Sequence, residues 1–203
     1  MRIIGLTGGV GSGKSTVARY LERLGARLLN ADKVGHECYL PGTPAWYDVQ
    51  ETFGKEILGA GEEIDRKKLG AIVFGNPEKL AQLNGITHPR IRQMMTDRLQ
   101  QWRDEGVQVA VVEAAILIEA NWLPLVDELW VTYAPEEVVV QRIRRRNSLS
   151  VEQIQARIMA QLPHEERAAH AQVIIDTDCE LAELERRVRA AWDARIVAKG
   201  RAS

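Results

Sequence analysis

The sequence has few cysteines, little net charge and no long apolar run. It contains two cysteines, Cys38 and Cys179, which lie far apart and form no C-x-x-C motif. A disulfide framework or a zinc site is therefore not expected, and this cysteine usage suits a reducing cytosol. The formal net charge of -1 provides no global attraction to nucleic acid or to an acidic membrane. No apolar stretch approaches the roughly 20 residues that are needed to span a bilayer.

The length of the chain and its N-terminus also limit the interpretation. With 203 residues and a mass of 22.8 kDa, the chain can bury one sizeable core, so we expect a single domain. The first predicted strand begins at once, which leaves no room for a signal peptide. We therefore expect a cytoplasmic protein with neither nucleic acid nor a membrane as its partner. The sequence does not predict the oligomeric state.

One stretch near the N-terminus carries the strongest signal. Residues 8–15 read Gly-Gly-Val-Gly-Ser-Gly-Lys-Ser and fit G-x-x-x-x-G-K-[ST], the pattern of a phosphate-binding P-loop. An apolar run precedes it as a predicted strand, and a helical pattern follows it and should end at Gly25. This strand–loop–helix context is the one in which the motif binds a nucleoside triphosphate.

The residue types of the loop explain how it would hold the phosphates. Glycines allow sharp turns that point several N–H groups inward, and the following helix adds its positive dipole end. Lys14 can reach the β- and γ-phosphates, and the Ser15 hydroxyl can join the coordination shell of Mg²⁺. The motif predicts a bound nucleoside triphosphate with Mg²⁺, and its nucleotide-binding set is Gly9, Val10, Gly11, Ser12, Gly13, Lys14, Ser15 and Thr16.

The pattern of apolar runs predicts the fold. Five short β-type runs, separated by helical patterns, indicate an α/β fold with a parallel sheet covered on both faces. Together with the P-loop, they predict the three-layer fold of P-loop NTPases. Ligands of such sheets collect outside the carboxyl ends of the strands, so Asp32 and Glu113, which follow two of these runs, should share a cleft with the loop. The predicted strands are 2–7, 27–29, 107–112, 128–133 and 173–175.

A long helical insertion separates the second and third predicted strands. Residues 34–105 far exceed the length of a simple crossover, so they predict a substrate-binding subdomain. Its last helix should open at 87–89, with Pro89 in the first helical position, and should end at Gly106. His88 either caps this helix or contacts substrate, and Arg92, one turn along, favours contact with substrate.

A basic helix followed by a capped helix predicts a mobile lid. The pattern at 135–146 predicts a helix that ends in a basic cluster, and Ser150 with Gln153 matches a capping box for the next helix. An arginine that closes over the site would stabilise the charge that spreads over the γ-phosphate. Arg142 and Arg146 share a helix face, and Arg157 of the second helix is a third candidate; each of them can also belong to a solvated helix face. The predicted domain has a core of 1–33, 106–137 and 166–203, the insertion at 34–105 and the lid at 138–165.

Two carboxylates are candidates for chemistry. Asp32 could accept the proton of an attacking hydroxyl, orient Mg²⁺, or merely cap the following helix. Glu113 could act through Mg²⁺-bound water or be a loop carboxylate. The D-x-x-G string at 32–35 matches a GTPase pattern, but no N-K-x-D motif occurs in the sequence, so a GTPase is excluded.

These residues together resemble the dephospho-CoA kinase family over nearly the whole chain. The P-loop alone does not distinguish this family, whereas Asp32 at its distance, the His-Pro-x-Ile-Arg string and the Arg-Ile-x-x-Gln string do. The family has Pro-Leu-Leu-Phe-Glu where this chain has Ala115 to Glu119, and Gln172 and Thr177 replace a typical Asp and Asn. The matching stretches are 5–15, 30–32, 73–74, 87–92, 117–119, 142–150 and 156–161.

The resemblance implies ATP- and Mg²⁺-dependent phosphorylation of the ribose 3′-hydroxyl of dephospho-CoA, a small-molecule substrate, in the last step of coenzyme A synthesis. It implies that Asp32 is the catalytic base, supported by Lys14, Arg142 and Arg146, with Arg146 also on the nucleotide. The insertion would bind the CoA moiety. Two other readings stay open at this point, a P-loop kinase for another nucleoside or nucleotide acceptor and an ATP-hydrolysing switch protein. The implied substrate contacts are Asp32, His88, Arg92, Glu119 and Arg157.

Overall fold

A computed structural model of the protein describes residues 1–146 and 149–198. Within these residues five strands form one sheet in the order β2-β3-β1-β4-β5, and β1 pairs in parallel with both β3 and β4, as β4 does with β5. This confirms the predicted parallel sheet. The strands are β1 (Arg2–Gly8), β2 (Arg27–Asn30), β3 (Val109–Glu113), β4 (Glu128–Tyr133) and β5 (Val173–Asp176).

Helices separate the strands along the chain. The α-helices are α1 (Lys14–Arg23), α2 (Ala31–Cys38), α3 (Pro44–Phe53), α4 (Arg66–Val73), α5 (Pro77–Asp104), α6 (Glu136–Arg146), α7 (Val151–Met159), α8 (His164–Ala169) and α9 (Leu181–Trp192). Short 3₁₀ turns occupy Lys55–Ile57, Ala60–Glu62 and Leu123–Leu125, and a π-helical turn, Asp193–Val197, follows α9. Among the described residues, none of the helices is both long and apolar enough to cross a membrane.

The chain forms two compact units, one of residues 1–29 and 103–203 and the other of residues 30–102. The first unit is built around β1, which is buried from Ile3 to Gly8. Such continuous burial is expected of a central parallel strand that is covered on both faces. Helix α1 packs on this core through Val17 and Leu21, and α9 packs through Val188. At roughly 1.5–3 kcal/mol for each fully buried large apolar side chain, this face is the main source of stability.

The ends of the elements follow the predicted local signals. Gly25, with a φ of 103°, lies just beyond α1 in the left-handed region, which residues other than glycine rarely adopt. Gly106 plays the same part after α5 with a φ of 80°. The capping box of α7 is present, since the Ser150 hydroxyl accepts from the Gln153 N–H and the Gln153 carboxamide oxygen accepts from the Ser150 N–H.

The second unit has its own apolar core. Trp46, Val49 and Phe53 of α3 pack with Leu69 and Val73 of α4. Ion pairs join its helices near the surface, namely Arg90 with Asp48 and Arg98 with Glu37. Pairs that are this exposed contribute little, about 0–1 kcal/mol each, so the apolar cluster dominates the stability of this unit.

The prediction that Pro89 opens a helix was wrong. Helix α5 begins at Pro77 and runs through Pro89. The helix continues because residues on both sides of the proline are anchored: Thr87 is buried and its hydroxyl donates to the Leu83 carbonyl at 2.9 Å. The Arg90 guanidinium donates to the Ile86 carbonyl at 2.7 Å. Tertiary burial therefore offsets the backbone hydrogen bond that a proline removes.

Candidate active site

The P-loop turns from β1 into α1 through glycines with positive φ. Gly11 has a φ of 72°, and Gly13, which precedes α1, has a φ of 89°. Gly8 is constrained by its neighbour as well, because an added Cβ would lie 2.6 Å from the Thr132 carbonyl oxygen. A side chain is not tolerated at that distance, so the loop can follow this path against β4 only with glycine.

The hydroxyl of Ser12 ties the loop to the sheet. Ser12 Oγ is 2.7 Å from the Gly9 carbonyl oxygen and 2.7 Å from Thr132 Oγ1, and Thr132 Oγ1 is 3.3 Å from the Thr7 carbonyl oxygen. Ser12 and Thr132 are both buried. Buried hydroxyls that are satisfied in this way fix the loop in one conformation, which is what a preorganised phosphate cradle requires.

Lys14 lies along the loop. Its Nζ donates to the carbonyl oxygens of Gly8 at 2.7 Å and Gly9 at 3.0 Å. The ammonium group is therefore held at the edge of the loop formed by Gly9. Because a P-loop lysine reaches the β- and γ-phosphates, this is the edge at which the terminal phosphate of a triphosphate would lie.

Ser15 and Glu113 come together at the start of α1. Ser15 Oγ donates to Glu113 Oε1 at 2.9 Å, and Glu113 is buried at the end of β3. A hydroxyl and a carboxylate are the oxygen donors that Mg²⁺ prefers, usually together with several waters and substrate phosphates. The described residues contain no group of three or more His, Cys, Asp or Glu side chains placed to hold a metal. The Ser15–Glu113 pair nevertheless fits an ion that the nucleotide helps to coordinate.

Arg142 is bound at the end of β5. Its Nη1 is 2.9 Å from Thr177 Oγ1, its Nη2 is 2.6 Å from the Thr177 carbonyl oxygen, and Nη1 lies 3.4 Å from the Gly11 carbonyl oxygen. The Thr177 hydroxyl also lies 2.9 Å from the Ser12 carbonyl oxygen. Thr177, one of the departures from the family pattern, thus joins the P-loop to the basic helix α6.

A cavity of about 360 Å³ opens beside this junction. P-loop glycines, apolar residues of α9 and two arginines, Arg142 and Arg157, line it. Its mixed polar and apolar wall suits an aromatic base next to phosphate. The cavity is lined by Val10, Gly11, Gly13, Thr16, Arg142, Ile143, Arg145, Arg157, Thr177, Cys179, Leu181 and Leu184.

The segment predicted to be a lid packs on the loop. Val139 and Ile143 of α6 form an apolar cluster with Ile154 of α7, and Val10 packs against it. Just after α7, the carboxamide oxygen of Gln161 accepts from the Val10 N–H at 2.8 Å. Arg146 ends α6, and its side chain lies outside the described residues.

Val10 also lines a second cavity, of about 290 Å³. Gly9, Ser12 and Gln161 line it, together with the His164 ring, which stacks on Tyr133 at a centroid distance of 4.1 Å. Arg167 of α8 also lines it, although only 4% of this residue is exposed. The side chain of Glu119 lies 3.9 Å from Arg167 Nη2.

The remaining predicted residues belong to the second unit, residues 30–102. Asp32 is exposed in the first turn of α2, two residues after β2 ends, and the cap of this helix is the Asn30 side chain, which accepts from Lys33 N–H at 3.0 Å. His88 is half-buried in α5, where burial lowers the pKa of its imidazole, and Arg92 is exposed one turn further on. Since Asn30 caps α2, the Asp32 carboxylate is not needed for that purpose.

The sequence pattern gave no definite role to several residues that the structure places around the loop. Arg167 follows two glutamates in a short helix, a pattern typical of a solvated surface, and only the packing of α8 shows that it is buried. Gln161 belonged to a matching stretch but had no assigned role. Glu113 stayed ambiguous until its hydrogen bond to Ser15 was visible.

The parallel sheet, the P-loop held against β4 and the Ser15–Glu113 pair define a P-loop nucleoside triphosphate-binding protein. A family model described as dephospho-CoA kinase (CoaE) matches residues 2–183. The chain belongs to the dephospho-CoA kinase family.

Individual relatives agree with this assignment. The chain is 47% identical over 196 residues to a dephospho-CoA kinase of Geobacter sulfurreducens, which covers 97% of this chain and 100% of the relative. Among solved structures it is similar to TT1252 from Thermus thermophilus, with a TM-score of 0.81, 30% identity and coverage of 96% and 97% of the two chains. It is also similar to the dephospho-CoA kinase from Campylobacter jejuni, with a TM-score of 0.73, 28% identity and coverage of 99% and 100%.

These comparisons confirm the family resemblance, the P-loop fold and the prediction of a kinase of this family. They do not test the individual site residues or the division into core, insertion and lid, which stay predictions.

Proposed function

We propose that this protein transfers the γ-phosphate of ATP to the 3′-hydroxyl of the ribose of dephospho-CoA, which gives coenzyme A and ADP. The observation that carries the proposal is the Ser15–Glu113 hydrogen bond at a P-loop, in a chain that the dephospho-CoA kinase family model matches from residue 2 to residue 183. The reaction would take place in the cytoplasm, where the cysteine usage suits a reducing environment.

The triphosphate would lie along the P-loop. The N–H groups of residues 11–16 and the dipole of α1 attract the α- and β-phosphates, and Lys14 would turn from the carbonyl oxygens of Gly8 and Gly9 to the β- and γ-phosphates. The 360 Å³ cavity beside Thr177 would receive the adenine. Arg142, which is fixed by Thr177, would lie beside the base or the α-phosphate, so a contact with the transferred phosphate falls to other arginines.

Ser15 and Glu113 would hold Mg²⁺ with their side-chain oxygens. When bound, the ion neutralises charge that develops on the β- and γ-phosphate oxygens. Glu113 also orders the site without the ion, because its carboxylate accepts a hydrogen bond from Ser15 Oγ at 2.9 Å and so fixes the Ser15 rotamer.

Asp32 would be the catalytic base. Its carboxylate is exposed at the start of α2, where an acceptor hydroxyl can reach it, and a base in this position accepts the proton as the hydroxyl attacks. The helical insertion would bind the CoA moiety, with His88 and Arg92 as contacts.

The segment at 138–165 would close over the bound nucleotide. Its two helices share one apolar cluster, so they can move as a unit, and Arg146 would reach the phosphates when they do. In the Arg146→Ala variant we expect turnover to fall more than ATP affinity. A change confined to thermal stability would assign Arg146 to the helix surface.

The experiment that tests this function is an acceptor panel. The purified protein is incubated with Mg-ATP and dephospho-CoA, adenosine, AMP or shikimate, and the products are identified by mass spectrometry. We expect a mass increase of one phosphoryl group on dephospho-CoA and little on the others. Comparable phosphorylation of a nucleoside, or rapid ATP hydrolysis that no acceptor influences, would refute the proposed substrate.

A further inference from the structure

Arg167 is buried beside the P-loop with donors that have no partner. Its side chain is 5% exposed, and among the described residues neither Nε nor Nη2 has a hydrogen-bond partner. The nearest carboxylate, that of Glu119, lies 3.9 Å from Nη2, which is too far for a hydrogen bond. A buried charge with unsatisfied donors costs several kcal/mol, so a stable protein keeps one only for a purpose.

The guanidinium points at the P-loop. A Cβ placed on Gly9 would lie 3.5 Å from Arg167 Nη1, and Arg167 lines the 290 Å³ cavity together with Gly9, Val10 and Ser12. The ammonium of Lys14 lies at the same residue, 3.0 Å from the Gly9 carbonyl oxygen. Two cations therefore lie near the edge of the loop where the terminal phosphate of a triphosphate would bind.

We propose that Arg167 is a catalytic residue that binds a γ-phosphate oxygen of ATP, and that Glu119 is a positioning residue that holds its guanidinium toward Gly9. An anion at Gly9 would compensate the buried charge of this guanidinium, whose Nη1 is the nitrogen close to Gly9. In the transition state, charge spreads over the γ-phosphate oxygens, and a fixed guanidinium would stabilise it without reorganisation.

The electrostatics of the pair agree with this role. Burial lowers the pKa of Arg167, and the Glu119 carboxylate opposes that shift. The side chain of Glu119 is 30% exposed, so its charge stays partly solvated and does not fully neutralise the guanidinium. A buried cation of this kind attracts phosphate more strongly than an arginine in solvent.

The inference rests on the proposed function for its account of turnover, but the first test needs no acceptor. The dissociation constants of ADP and of the non-hydrolysable ATP analogue AMP-PNP are measured for the wild type and for Arg167→Met. We expect the constant for AMP-PNP to rise by about 10-fold or more, as for the loss of a charge-assisted hydrogen bond, while that for ADP changes little. An equal rise for both ligands, or no rise for either, would overturn the inference whatever the acceptor is.

Thermal unfolding of the nucleotide-free protein separates a functional role from a structural one. Replacement of an unsatisfied buried charge by an apolar side chain of similar length is often neutral or stabilising, so Arg167→Met should not lower Tm. A large fall in Tm would show that Arg167 supports the fold. The matched control is Arg189→Met, which changes an exposed arginine of α9 and should leave both nucleotide affinities unchanged.

Two further variants complete the test. If Arg167→Met does not fold, the same binding measurements are made on Arg167→Lys. Weaker binding of AMP-PNP with unchanged binding of ADP would support the inference, and equal effects on both ligands would refute it. In Glu119→Gln we expect kcat to fall while KM for dephospho-CoA stays near the wild-type value. A rise in that KM with unchanged kcat would instead make Glu119 a contact of the acceptor.

Discussion

The Ser15 hydroxyl donates a hydrogen bond to the Glu113 carboxylate at 2.9 Å, although 98 residues separate them in the chain. The pairing follows from the register of the sheet. Strand β1, which leads into the P-loop, lies beside β3, and Leu6 is opposite Glu113. The start of α1 is thereby brought over the carboxyl end of the neighbouring strand, where ligands of parallel sheets bind.

This pair leads to a prediction for Glu113→Gln. The amide keeps an acceptor for Ser15 Oγ but removes the charge that would attract Mg²⁺. We expect turnover at saturating ATP to fall by about 10²-fold, as when one electrostatic contact is lost. We also expect the variant to require a higher Mg²⁺ concentration to reach half of its maximal rate. Rates measured over a Mg²⁺ titration test this, with the exposed Glu22→Gln of α1 as the control. An unchanged Mg²⁺ dependence would make Glu113 a structural partner of Ser15 alone.

Asp32→Asn tests the proposed base. The substitution keeps the shape of the side chain but cannot accept the proton, so turnover should fall by roughly 10²–10⁴-fold, the range of general-base catalysis. ATP affinity should change little, since the carboxylate is not part of the P-loop. Steady-state kinetics with dephospho-CoA and a binding titration with ATP measure the two quantities. Turnover near the wild-type value would assign the base to another residue.

Thr177 links the P-loop to the basic helix. Thr177→Val keeps the shape but removes the hydroxyl near Ser12, Tyr133 and Arg142. Because Thr177 is buried and its partners would be left unsatisfied, we expect the free energy of unfolding to fall by about 1–3 kcal/mol. We also expect KM for ATP to rise more than KM for the acceptor. Thr177→Ser, which retains the hydroxyl, is the control, and a Thr177→Val variant with the stability and the KM for ATP of the wild type would show that the hydroxyl is not needed.

Glu128 should make the stability of the first unit depend on pH. It is 2% exposed and accepts from Arg2, Trp130 and Arg195. Although burial alone would raise it, the hydrogen bonds from Arg195, Trp130 and Arg2 hold the pKa of this carboxyl below its ordinary value of 4.5. Because the folded-state pKa of Glu128 is depressed, its contribution to the free energy of unfolding is complete above pH 4.5. This contribution is lost as the pH falls through the folded-state pKa, because the unfolded chain binds more protons in that range.

In Glu128→Gln we therefore expect a smaller loss of stability below pH 4.5 than in the wild type. At pH 7 the variant should be less stable by about 1.5–3 kcal/mol, because two partly exposed arginines lose the charged acceptor of their hydrogen bonds. Denaturant unfolding between pH 3 and pH 7 measures both effects, with Glu22→Gln as the exposed control. A variant that keeps the acid dependence of the wild type would assign that dependence to other carboxylates.

Local signals in the sequence were enough to locate the main elements and the nucleotide loop. The G-x-x-x-x-G-K-[ST] pattern consists of residues that are close together in the chain. The predicted strands agree with the structure to within two residues at each end. The capping box at Ser150 and the glycines at 25 and 106 act within one helical turn. Such features depend on backbone geometry and on neighbours in the chain, so they can be recognised from the sequence before the tertiary structure is known.

Tertiary packing decided what the local pattern could not. Pro89 resembled a helix start, yet burial of Thr87 carries α5 through it. Arg167 resembled a surface residue, and only the position of α8 buries its guanidinium beside Gly9. The sequence by itself determined that a triphosphate loop and its family motifs are present, because those are short-range patterns. Which charges converge on that loop depends on contacts between residues far apart in the chain, and those exist only in the folded protein.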